Sequence, residues 1–159
     1  MKTIITVAAL VLVVNTGSAQ KVKESEVPKA VLTSFQENFK GAKAEKWERE
    51  KNGEFEAEFD WNKTETSANF STDGKLLQTE TEMKVAALPK TITDYIAKNY
   101  AGYKTSEAAK IVDASGKISY EAEVEKGKEE MDLIFDENGG FLKKEVEAAE
   151  DKDDKKDKK

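Results

Sequence analysis

Phe55-Glu56-Ala57-Glu58-Phe59-Asp60-Trp61 alternates an apolar side chain with an acidic one at every step. Successive side chains of an extended chain point to opposite faces, so this spelling predicts a β-strand with one apolar and one acidic side. The spelling returns as Tyr120-Glu121-Ala122-Glu123-Val124, 65 residues later, and its surroundings return with it. Val27-Pro28-Lys29 and Asn38-Phe39-Lys40-Gly41 come back as Leu88-Pro89-Lys90 and Asn99-Tyr100-Ala101-Gly102 at an offset of 61. Phe70-Ser71-Thr72-Asp73-Gly74 comes back as Phe135-Asp136-Glu137-Asn138-Gly139 at 65. Two copies that differ by a four-residue insertion predict one supersecondary unit built twice and packed side by side.

Each copy opens with a helix. Val27, Val31, Phe35 and Phe39 recur every fourth residue, and Leu88, Ile92, Ile96 and Tyr100 hold the same places in the second copy. That is the apolar stripe of an amphipathic helix. A helix of about fourteen residues is marginal alone in water, so each stripe must dock on something. The turn pairs Asn52-Gly53, Asp73-Gly74, Ser115-Gly116, Lys126-Gly127 and Asn138-Gly139 then punctuate the chain. They predict four antiparallel strands per copy, over residues 43–51, 53–62, 64–72 and 75–83, then 107–114, 117–126, 128–136 and 140–147. The expected fold class is α+β: two tandem repeats of a helix plus a four-stranded antiparallel sheet, helices on one face, the other face in water. Joining the two sheets edge to edge would protect two strand edges and favours one continuous eight-stranded sheet.

The ends differ from the middle. Lys2, the aliphatic run Ile4 to Val14 and the small residues Gly17-Ser18-Ala19 have the order of a secretory signal peptide, predicted over residues 1–19. The run is shorter than the roughly 20 residues a bilayer requires, so the reading leaves no membrane span after cleavage and places the protein in the periplasm or outside the cell. The first repeat then occupies residues 20–84 and the second 85–147. Residues 148–159 are almost wholly charged and have too little apolar surface to offset the entropy of ordering, so they are expected to be a disordered charged tail.

Composition removes whole classes of function. The 159 residues contain no Cys and no His, which excludes Ser-His-Asp and Cys-His machinery, His-based zinc sites and disulfides. A formal net charge of −6 without a basic stripe argues against nucleic acid. No catalytic, metal-binding or cofactor-binding set emerges, and the reading is a protein that is not an enzyme.

Val-Pro-Lys at the helix start, Trp47 followed by Asn52-Gly53, then Phe55-Glu56-Ala57-Glu58-Phe59 and Phe70-x-x-Asp73-Gly74-Lys75-Leu76-Leu77-x-x-Glu80 resemble the PepSY-like, beta-lactamase-inhibitor-like family of exported bacterial proteins. The resemblance covers Val27 to Glu145, and the signal ending Ala19-Gln20 resembles those of Bacteroidota. The second copy departs from the pattern at Ala108, near where the first has Trp47, and in the insertion around Val112–Ser115. The resemblance implies a tandem helix-plus-sheet fold with a non-enzymatic role, its open sheet face available to another protein.

The candidate binding residues are Glu56, Glu58, Glu121 and Glu123 on the open face, with Trp47 as an aromatic anchor. Trp47 can equally lie in the core, because its parity within the strand is ambiguous. The acidic ladder could hold a divalent cation, but alternate strand residues lie about 6.5–7 Å apart on an open surface, whereas calcium ligands converge. The face is expected to be flat, ionised and interleaved with lysines, which offers neither the cleft nor the raised carboxyl pKa that acid catalysis requires. The expected partner is a protein or peptide of the cell envelope. The alternative is an envelope protein that binds or senses a small ligand or divalent cation.

Overall fold

The computed structural model describes residues 19–50 and 52–146. Most of the expected signal peptide, the charged tail and the last residue of two expected strands lie outside them. Nine strands form a single antiparallel sheet in which each strand pairs with the next in sequence. They are β1 (Gln20–Val22), β2 (Lys46–Arg49), β3 (Phe55–Trp61), β4 (Thr64–Phe70), β5 (Leu76–Glu82), β6 (Lys104–Asp113), β7 (Ile118–Lys126), β8 (Glu129–Asp136) and β9 (Phe141–Val146). Helix α1 (Lys29–Asn38) connects β1 to β2, and α2 (Lys90–Asn99) connects β5 to β6.

The sheet corrects the expectation of eight strands. The extra strand, β1, pairs with β2 through Gln20↔Arg49, Lys21↔Glu48 and Val22↔Trp47. Three residues are too few to display an alternation, so the sequence pattern does not reveal it. The two halves meet at β5 and β6, where Gln78–Glu82 pair with Asp113–Ala109. The helices are also shorter than the stripes suggest, at ten residues each. Pro28 and Pro89 take the N-cap positions, and the preceding Val27 and Leu88 end short 3₁₀ turns yet remain buried.

Both helices lie on the same side of the sheet, over separate cores. Under α1, Val31 and Phe35 meet Trp47, Phe55, Ala57, Phe59, Ala68 and Phe70. Under α2, Ile92 and Ile96 meet Ala108, Ala122, Val124, Met131, Leu133 and Phe135. The first core is an aromatic cluster centred on Phe35, whose ring lies 4.9 Å from Phe59 and 5.4 Å from Trp47, both edge-on. Trp47 is therefore a core residue, 4 % exposed, and not a recognition platform. Its partners Val22 and Ala57 share its face, and this settles the parity that the sequence left open.

A tight turn fixes each helix start to the sheet. Gly74, between β4 and β5, has φ +88, and a Cβ there would lie 2.5 Å from the backbone oxygen of Ala30 in α1. Gly139, between β8 and β9, has φ +82 and would collide with the Thr91 side chain in α2. Gly53 has the same φ of +88 with open space around it. Gly74→Ala should therefore destabilise the protein by about 2–5 kcal/mol, the sum of left-handed strain and overpacking against backbone. Gly53→Ala should lose only about 1–2 kcal/mol, from the strain alone. Urea midpoints of the two variants check the difference.

Candidate binding cleft on the acidic sheet face

Alternation directs Glu56 and Glu58 to the side of the sheet away from α1, and register then determines what they meet. Glu56 stands opposite Asn69, and Glu58 opposite Ser67. Ser67 stands opposite Glu80, and Glu80 opposite Ile111 across the joint between the halves. In the next row Glu82 pairs with Ala109, Ala109 with Glu121, and Glu121 with Ile134. Glu123 pairs with Asp132 in the row beyond. Ala109, Ile111 and Ile134 are buried although they sit on the side without helices. The face is therefore not the flat, solvated surface expected from sequence.

A cleft of about 360 Å³ opens there, lined by residues of six strands, β3 to β8, so neither half supplies it alone. Among the described residues thirteen line it, nine of them acidic and none basic. Burial and that imbalance together set the electrostatics. Burial is the main cause that pushes the Glu56 carboxyl up to about 7; repulsion from Glu50, Glu80 and Glu58 adds to it, and a hydrogen bond with Ser67 opposes it. Burial, with repulsion from Glu80, Asp132 and Glu145, pushes Glu121 up to about 9. Glu80 is raised by burial as well, and it hydrogen-bonds Glu121. Two buried carboxyls in hydrogen-bond contact hold a shared proton, and their bond raises Glu121 while it lowers Glu80.

The rim is tied down by ordinary pairs. Lys46 Nζ lies 2.9 Å from Glu58 and 3.0 Å from Glu48. Burial works against the Lys46 ammonium, but the hydrogen bonds and charges of Glu58 and Glu48 outweigh it and raise its pKa. The Ser106 hydroxyl donates to the Glu123 carboxylate. Where β2 meets the cleft, carboxylate oxygens of Glu48, Glu50 and Glu56 lie within 4.8 Å of one another and could hold a cation.

Of the residues singled out from sequence, the fold brings Glu56, Glu58, Glu121 and Glu123 into one cleft and leaves Trp47 on the other side of the sheet. The sequence reading missed Glu65, Glu82, Glu107 and Asp132 as members of the site, and it noted Glu80 only as part of a motif. For Glu80 and Glu82 a signal was present on β5, where Gln78, Glu80 and Glu82 alternate with Thr79 and Thr81.

A family model described as "Putative beta-lactamase-inhibitor-like, PepSY-like" matches the chain twice, over residues 14–78 and 54–143. The chain belongs to this family. Among proteins with curated functions, none matches. Solved structures similar to this member of the family come from Bacteroides. One, from Bacteroides eggerthii and described as periplasmic, has a TM-score of 0.65 at 14% identity, over 76% of this chain and 88% of that one. A DUF2874 family protein from Bacteroides uniformis gives 0.64 at 15%, over 75% and 88%. A BLIP-like protein from Bacteroides fragilis gives 0.60 at 23%, over 78% and 90%. At these identities the likeness is one of fold: an antiparallel sheet carrying two helices.

Proposed function

We propose that this PepSY-like protein is an exported, non-enzymatic binding module whose acidic cleft engages an envelope protein or peptide presenting basic side chains. In this reading the repeats of residues 20–84, with β1 to β5, and 85–147, with β6 to β9, meet at the β5–β6 pairing, and that joint creates the site. The carrying observation is the composition of the cleft, with nine acids and no base lining about 360 Å³. A basic side chain entering it would relieve the repulsion that burial has imposed and let Glu56 and Glu121 ionise. Export rests on the signal-peptide pattern at residues 1–19, and the description of the Bacteroides eggerthii relative agrees with it.

An oligolysine peptide is the first probe. Binding should strengthen as pH rises from 6 to 8 through the Glu56 value of about 7, with proton release on binding, because the complex favours the ionised acid. Replacing Glu56, Glu58, Glu121 and Glu123 together by Gln should weaken capture of oligolysine and of envelope proteins at least about tenfold. Equal capture by both proteins rejects the cleft as the site.

The second reading is a divalent-cation binder, favoured by the convergence of Glu48, Glu50 and Glu56 within 4.8 Å. It requires the melting temperature to rise on adding the cation, and Glu48→Gln to abolish that rise. A flat thermal-shift curve retires it.

A further inference from the structure

Among the described residues the sheet has two open edges, and they differ. At one end β1 is three residues long, with Gln20 and Lys21 exposed and Val22 packed on the first core. At the other end β9 runs for six residues. Among the described residues, the exposed large hydrophobics all lie on it: Phe141 at 37 %, Leu142 at 51 % and Val146 at 51 %. An open edge carries a row of unpaired backbone groups and is a template for another strand. We propose that the β9 edge is a dimerisation surface, where a second copy of the chain pairs antiparallel with Lys144 at the two-fold axis.

The register follows from the strand itself. Antiparallel partners are either both hydrogen-bonded or both not, so a strand that pairs with its own copy must place a residue, not a peptide bond, on the axis. Lys144 on the axis sets Leu142 against Val146 of the copy and Lys143 against Glu145 of the copy, each twice by symmetry. Lys143 on the axis would set Leu142 against Lys144 and Phe141 against Glu145. Glu145 on the axis would set it against itself and Lys144 against Val146. One register alone matches apolar with apolar and base with acid. The faces agree. Val146 and Lys144 stand opposite Met131 and Leu133 on the helix side, and Lys143 and Glu145 opposite Ile134 and Asp132 on the acidic side. Lys143 and Glu145 already form an ion pair along the strand, ready to exchange partners across the axis. Among the described residues the one repulsive contact is Lys144 against its copy, both exposed and long enough to splay apart. The axis stands perpendicular to the sheet, so both acidic clefts of the dimer open on the same side.

Sedimentation equilibrium of protein purified from cells expressing the full chain, from low micromolar to near-millimolar concentration, tests the pairing. The expected result is a shift from monomer to dimer mass. Lys143→Glu and Glu145→Lys should each weaken the dimer about tenfold, since each sets like charges across the axis twice. The double exchange should restore wild-type affinity, and Lys144→Thr should tighten it. Circular dichroism confirms that the variants are folded. Monomer mass at every concentration overturns the proposal and leaves the edge to a strand of another protein. A dimer indifferent to the single exchanges also overturns it.

Discussion

Glu121→Gln should make the protein more stable above neutral pH and leave it almost unchanged near pH 5. In the native state burial, then repulsion, pushes Glu121 from 4.5 up to about 9, and burial pushes Glu56 from 4.5 up to about 7. An acid with a raised folded pKa keeps its proton longer in the native state than in the unfolded chain. Stability is therefore fully present below about 4.5, falls as pH rises towards 7 through Glu56, and falls further towards 9 through Glu121. The loss is on the order of 3 kcal/mol, once the solvent contact of both side chains and the repulsion they share are discounted. Glu50 and Glu107 are raised by burial and neighbouring acids and act in the same direction. Asp73 and Asp113, lowered mainly by hydrogen bonds from Ser71 and Ser115, act oppositely but only in acid. A glutamine at 121 mimics the protonated acid and still donates to Glu80, so it should remove the Glu121 part of the slope and gain about 2 kcal/mol at pH 8.5. Urea titrations from pH 5 to 9 measure it. Parallel profiles for the two proteins would mean that Glu121 is ionised and solvated.

The alternation around Phe55–Trp61 and Ile118–Val124 was enough to place the strands and to choose which glutamates leave the helix side. It could not make a cleft of them. Glu80 and Glu121 become neighbours only through the β5–β6 register, and no spacing within either copy encodes that contact. The register also slips at a bulge between Thr105 and Ala108. Ala108 therefore joins the core under α2 while Ala109, beside Glu121, is buried on the acidic side. A strict period of two cannot express two buried neighbours on opposite faces. The apolar residues that dehydrate the glutamates, Ala109, Ile111 and Ile134, therefore carry no mark in the alternation, and the face reads as a wet surface. Trp47 shows the complementary limit: its face is set by pairing with Val22 in a strand too short to read.

Phe35→Ala should lose about 3–5 kcal/mol, because a ring 2 % exposed would leave a cavity among packed aromatic neighbours. Its ring contacts Phe39, Trp47, Phe59 and Phe70 at centroid distances of 5.7, 5.4, 4.9 and 6.4 Å, and rigid rings on several strands cannot all collapse inward. The damage should also be uneven. The two cores share no residue, and the joint between the halves is five residue pairs of β5 and β6. Trp47 and Trp61, the two tryptophans of the chain, both belong to the first core or pack against it. Tryptophan fluorescence therefore reports the first half, while circular dichroism reports both. In the wild type the two signals should lose structure together, as a single cooperative unit requires. In Phe35→Ala the fluorescence transition should come at lower urea than the dichroism transition, with the second half unfolding later on its own core. Ile96→Ala, in the second core, should reverse the order. If both variants keep coincident transitions, the continuous sheet binds the halves more strongly than the cores divide them, and the protein unfolds as one body.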